Sequence, residues 1–185
     1  GFWVGAVGLG GQWTGVQRLV GGGPRYSVAD AAFMKNRAEV VDRCMQVGIN
    51  VIDTVDDVEV FAYAKLLEDP ARRKGIFFSY GHQQREARRA ELRTRKALMK
   101  GLDDTLRESK LEYVDWWRLI GHENGGEHTV HEMQEIVAAL DQAKQQGKAR
   151  FTGISTHDHP YLKMMIEQFP AQMDVVLFPY TSDTK

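Results

Sequence analysis

Short runs of β-branched and aromatic residues alternate along the chain with longer stretches whose apolar positions recur at helical spacing. Residues 4–9 (VGAVGL) read as a strand, and residues 27–47 as a helix that Ser27 caps and Gly48 stops. Residues 50–54 (NVIDT) form a second strand, followed by a short helix over 59–67. The pattern repeats with a strand at 76–80 (IFFSY) and a helix over 92–109, then a strand at 113–120 (YVDWWRLI) and a helix over 130–146 that ends at Gly147. A strand at 150–155 (RFTGIS), a helix over 160–169 and a strand at 174–178 (DVVLF) complete it.

Strand and helix alternate strictly, and the strands are nearly continuous apolar runs, the mark of a parallel sheet covered by helices on its faces. Two α/β architectures meet this description: an open doubly wound sheet, and a closed (β/α)8 barrel of the TIM type. Each βα unit takes about 30 residues here, so eight would need about 250, the usual barrel size. The 185 residues carry about six of the eight units, and residues 180–185 follow the last strand without a helix to cover it. The expectation is a single partial barrel domain over residues 1–185, a fragment lacking the last two βα units. No internal repeat or linker-like segment marks a second domain.

Composition narrows the function classes. Twenty-four basic residues against 25 acidic ones, interleaved along the chain, leave no electrostatic footprint for nucleic acid or an anionic membrane. The basic stretch 85–100 mixes in Glu86 and Glu91 at helical spacing and reads as a solvated helix face. Cys44 is the sole cysteine, which excludes an internal disulfide and makes a reducing, cytoplasmic setting the default.

In either architecture the working groups lie just past the carboxyl ends of the strands. Those positions hold Gly10, Gly11, Gln12 and Trp13; Asp53, Asp56 and Asp57; Tyr80 and His82; His122, Glu123 and Asn124; the run from Ser155 to His159; and Tyr180, Thr181 and Ser182. All six histidines fall after residue 80, most of them at or just beyond these ends. Asp53 closes an apolar strand, where a carboxylate needs a cationic or hydrogen-bonding partner. Asp56 and Asp57 stand before a helix and suit its amino end. Gly10 and Gly11 permit a sharp turn, or a close approach to phosphate, without the full GxGxxG spacing. His157, Asp158 and His159 could seed a metal site with His122 and Glu123, but Asp158 also suits the cap of the helix that Pro160 begins. His128 and His131 share a helix face, with a surface position expected. Of Trp116 and Trp117, at most one faces the barrel interior, because neighbouring strand residues point opposite ways.

The succession GLGG, GINVIDT, LEYVDWWRLIGH, ALDQAKQQGKARFTGIST and VVLFPY, in that order, resembles a divergent aldo-keto reductase, from Val4 to about Thr181. The resemblance implies a (β/α)8 barrel that binds a nicotinamide cofactor, NADPH or NADH, and passes hydride to a small-molecule carbonyl substrate. The family's catalytic set is an aspartate, a tyrosine, a lysine and a histidine; the lysine pairs with the aspartate and lowers the pKa of the tyrosine, which donates the proton.

Asp53 matches the aspartate. Val58 stands at the tyrosine's place, with Tyr63 the nearest tyrosine. The strand that should end in lysine ends in Tyr80, Gly81 and His82. Ile120 stands at the histidine's place, with His122 two residues on. For the cofactor, Ser155 and Thr156 stand at the pair that holds the carboxamide, and Tyr180 at the aromatic that stacks on the nicotinamide. The strand-seven and strand-eight loops that grip the adenosine phosphate are absent from this sequence. The expected site is therefore Asp53 with a proton donor among Tyr80, His82, His122 and Tyr63, beside Gly10, Gly11, Ser155, Thr156 and Tyr180. A non-catalytic barrel derived from reductases, and a metal-dependent hydrolase or lyase, are the alternatives.

Overall fold

The computed structural model describes residues 28–54, 57–81, 89–121 and 128–180, together with the backbone of 6–8; of 57–59 it describes the backbone alone. Among the described residues six strands form one sheet: β1 (Ala6–Gly8), β2 (Val51–Thr54), β3 (Phe77–Gly81), β4 (Val114–Ile120), β5 (Ala149–Ser155) and β6 (Val175–Leu177). Their order in the sheet is their order in the chain, and every pairing is parallel. A doubly wound sheet reverses its strand order at a switch point, whereas a barrel does not. The consecutive order is that of a barrel wall.

The helices are α1 (Ala31–Gln46), α2 (Asp57–Leu66), α3 (Pro70–Gly75), α4 (Arg95–Ser109), α5 (Val130–Gln145) and α6 (His159–Gln168). Their ends follow local chemistry. Asp30, rather than the expected Ser27, caps α1 by accepting from the backbone N–H groups of Ala32 and Phe33. Thr94 and Asp158 cap α4 and α6, and Thr129 with Glu132 closes a capping box on α5. Gly147 takes φ 69° just after α5, a left-handed conformation that favours glycine. The short α3, capped by Asp69 with Pro70 in its first turn, escapes a reading by periodicity because it is six residues long with none buried. Among the described residues no helix is long and apolar enough to cross a membrane.

The main core lies between the sheet and the helices. Ile52, Phe78, Tyr80, Trp117, Leu119 and Ile154 contribute from the strands, against Val41, Tyr63, Leu102, Leu140 and Met165 from the helices. Alternation then sends Asp53, Ser79, Trp116, Arg118 and Ser155 to the opposite, concave face. The two tryptophans divide as alternation requires, with Trp117 packed under the helices and Trp116 beside Arg118, whose Cζ is 5.7 Å from the Trp116 ring centre.

Polar groups also hold the wall outside the concave face. Asp115, fully buried, accepts from Arg73 Nη1 at 2.8 Å, Arg150 Nη1 at 2.7 Å and the Phe78 N–H at 2.9 Å. Arg93 departs from the solvated face expected of the 85–100 stretch: it is buried and pairs with Glu132 at 3.2 Å. His128 is likewise buried, not at the surface, with its ring stacked 5.9 Å from that of Tyr161; His131 is exposed.

Candidate active site

Asp53 is the third residue of β2, and its carboxylate stands near the carboxyl end of the sheet on the concave face. It is not left to solvent. Ser79 Oγ, from the register partner on β3, donates to Oδ1 at 2.7 Å. Arg118 on β4 brings its guanidinium across β3: Nη2 lies 2.8 Å from Oδ2 and 2.9 Å from Oδ1, and Nε lies 3.1 Å from Oδ1. The forked contact is the strong form of a charge-assisted pair. Only 2 % of the Arg118 side chain is exposed, against 20 % of Asp53, so the pair is largely screened from water and stands with its charges matched.

The remaining arm of Arg118 continues the network. Nη1 donates to Ser155 Oγ at 3.0 Å, at the end of β5. A hydrogen-bonded chain therefore runs from Ser79 through Asp53 and Arg118 to Ser155, joining four neighbouring strands on one face. Ile120, the register partner of Ser155, keeps an apolar side chain there, 2 % exposed.

The other expected residues separate into groups. Tyr80 is fully buried, and its hydroxyl lies 2.9 Å from Thr105 Oγ1 on α4, in the layer between sheet and helices. The reason is parity, since Ser79 and Gly81 take the concave face and Tyr80 must take the other. Tyr63 on α2 is buried in the same layer, with its hydroxyl 3.4 Å from Arg37 Nη1. Thr156 is enclosed too; its Oγ1 accepts from the Asp158 N–H at 3.0 Å and shapes the turn into α6. Tyr180 is 72 % exposed beyond β6. Gly10, Gly11, His82 and His122 lie outside the described residues, as do Asp56 and Glu123; for Asp57 and Val58 the description ends at the backbone.

Of the HDH run, Asp158 is the α6 cap, and His159 Nε2 lies 3.0 Å from the Pro179 carbonyl, its ring edge-on to Phe178. Among the described residues no three of His, Cys, Asp and Glu converge as a metal site would need. Arg118 is the residue that the sequence reading passed over. Its signal was present: a cation inside an apolar strand, two positions from Trp116 and so on the same face, needs an anion nearby.

Comparison with known proteins follows the same line. The model of the aldo/keto reductase family matches residues 5–181. Among solved structures, the aldo-keto reductase AKR11C1 from Bacillus halodurans, in its holo form, superposes with a TM-score of 0.60 at 20% identity, over 80% of this chain and 47% of that one. The thermostable aldo-keto reductase Tm1743, in complex with the inhibitor epalrestat, gives 0.61 at 22% identity, over 82% and 52%. An aldo-keto reductase from Klebsiella pneumoniae in complex with NADPH gives 0.58 at 19% identity, over 77% and 46%. The chain thus spans about half the length of the structures it matches. A search of curated protein sequences finds no match.

Proposed function

Because the chain belongs to the aldo/keto reductase family, we propose that it forms the nicotinamide side of a reductase acting on a small-molecule carbonyl, with NADPH or NADH as hydride source. The observation that carries this reading is the chain of contacts Asp53–Arg118–Ser155. It sets the carboxylate of the family's second-strand motif and a hydroxyl at the carboxamide-holding place on one face of the wall. The residues fit the cofactor's nicotinamide end in chemical kind: a serine hydroxyl on the face, and an exposed aromatic, Tyr180, beyond β6. Bound nicotinamide would supply hydride to the carbonyl carbon.

This chain's own residues would then do the rest. Ser155 holds the carboxamide. Arg118 holds Asp53 in place through its three contacts, so Asp53 braces the wall beside the site. With the Tyr80 and Tyr63 hydroxyls in the helix layer, the proton for the carbonyl oxygen falls to His82 or His122, which follow Gly81 and Gly121 in the chain. Imidazole titrates near neutral pH without a lysine to tune it. The resemblance also supports NADP(H) as the cofactor pool and a single partial barrel domain over 1–185.

One observation favours the second reading, a reductase-derived barrel that no longer catalyses: Val58 stands at the place of the family's tyrosine, and the strand that should end in lysine ends in Tyr80, Gly81 and His82. Fluorescence titration of the full-length protein with NADPH and with NADH, followed by cofactor oxidation in the presence of short aldehydes and ketones, separates the readings. Binding with turnover supports the reductase, binding without turnover the second reading, and binding of neither cofactor overturns both.

A further inference from the structure

We propose that Arg118 is a positioning residue of this site, supplying from β4 the counter-charge of Asp53 and turning Ser155 toward the nicotinamide as a hydrogen-bond donor. The inference rests on the reductase reading for its second half only.

The first half follows from packing around the guanidinium. Gly81, Arg118 and Gly153 are aligned in register across β3, β4 and β5. A Cβ added at Gly81 would lie 2.7 Å from Arg118 Nη1, 3.0 Å from Cζ and 3.3 Å from Nη2. The end of an arginine ordinarily swings aside at little cost, but this one is held by three contacts to Asp53 and one to Ser155. On the other side, a Cβ at Gly153 would meet the Val175 carbonyl oxygen at 1.7 Å. Neither register neighbour can place a side chain in this layer. Arg118 fills the space over Gly81, so a cation on β4 and a side chain at residue 81 exclude one another.

The second half follows from the inventory of a serine hydroxyl, which has one proton and two lone pairs. Arg118 Nη1 can only donate, so Ser155 Oγ accepts from it. The Ser155 proton is then free to point elsewhere, and among the described residues no acceptor takes it. A carboxamide carbonyl is a matching acceptor. Lysine at position 118 would keep the charge yet lack the planar fork that reaches Asp53 and Ser155 together.

The test uses the full-length protein with Arg118→Met, Arg118→Lys, Gly81→Lys and the double variant Gly81→Lys/Arg118→Met. Urea unfolding reads the first half. Gly81→Lys alone is expected to lower the unfolding midpoint, whereas the same change in the Arg118→Met background raises it, because lysine enters the vacated space and meets Asp53. Effects that simply add overturn the exclusion. NADPH titration reads the second half: Arg118→Met and Arg118→Lys should each weaken binding about ten-fold, the upper worth of one neutral hydrogen bond, and the double variant should not recover it. Unchanged affinity in folded Arg118→Lys overturns the orientation of Ser155, and if Arg118→Met does not fold, Arg118→Lys carries the measurement. A wild-type protein that binds neither nucleotide overturns the reductase reading together with the Ser155 half, while the 81–118 coupling still decides the charge half.

Discussion

Arg118 and Asp53 stand 65 residues apart in the chain and meet in a fork on the concave face, with Nη2 within 2.9 Å of both carboxylate oxygens. The contact ties β4 to β2 over the intervening β3. Breaking one side of such a screened pair leaves the other charge buried and uncompensated, which costs more than the pair contributes when intact.

Asp53→Asn should therefore destabilise the fold by about 3 kcal/mol, because the Arg118 guanidinium, 2 % exposed, loses its anion. The check is urea unfolding followed by far-UV circular dichroism. A change within about 0.5 kcal/mol, the range of ordinary surface substitutions, would mean that the pair is opened by water.

Asp115 offers a comparison away from the concave face. It is fully buried and serves Arg73, Arg150 and the Phe78 N–H at once. Asp115→Ala should cost about 3 kcal/mol or more, since it leaves a buried amide and two guanidinium arms short of an acceptor. Calorimetric melting of the variant beside Asp53→Asn checks this, and NADPH affinity of the surviving folded protein is expected to stay at the wild-type value.

The cap of α5 carries a pH dependence. Burial is the largest single influence on Glu132 and pushes its pKa up, but hydrogen bonds from Thr129 and the Arg93 guanidinium outweigh it and hold the carboxyl below its ordinary value. A folded pKa below the unfolded one adds stability above the unfolded value, and that stability is lost as pH falls through the folded one. Glu132→Gln should thus lose stability at neutral pH and converge with the wild type in acid. Unfolding midpoints measured from neutral pH down through the carboxylate range test the sign, and a gap that widens in acid contradicts it.

Much of the wall was legible in the sequence because buried parallel strands leave uninterrupted apolar runs and helices announce their ends through caps and glycines. The strand-two aspartate was legible too, as a carboxylate closing such a run. What was lost was facing. Tyr80 and Asp53 both sit at strand ends, but the register pairs Asp53 with Ser79 and turns Tyr80 toward Thr105 on α4. Only the alignment of one strand on the next decides this, and it is not written in either strand alone. Arg118 was hidden for a related reason: within YVDWWRLI it looks like an interruption, and becomes a partner only when β2 and β4 are placed on one face. Thr156 and His128 show the same limit on the helix side, since each is enclosed by an element distant in sequence or by its own turn.

In the proposed site Ser155, aimed by Arg118, meets the nicotinamide of a bound cofactor. Saturation-transfer NMR of NADPH with the full-length wild type and with Ser155→Ala tests it most directly, because nicotinamide and adenine protons report separately. Transfer to the nicotinamide protons is expected in the wild type and its selective loss in Ser155→Ala, with the adenine signals less affected. Equal transfer to the nicotinamide in both proteins, or none in the wild type, would contradict it.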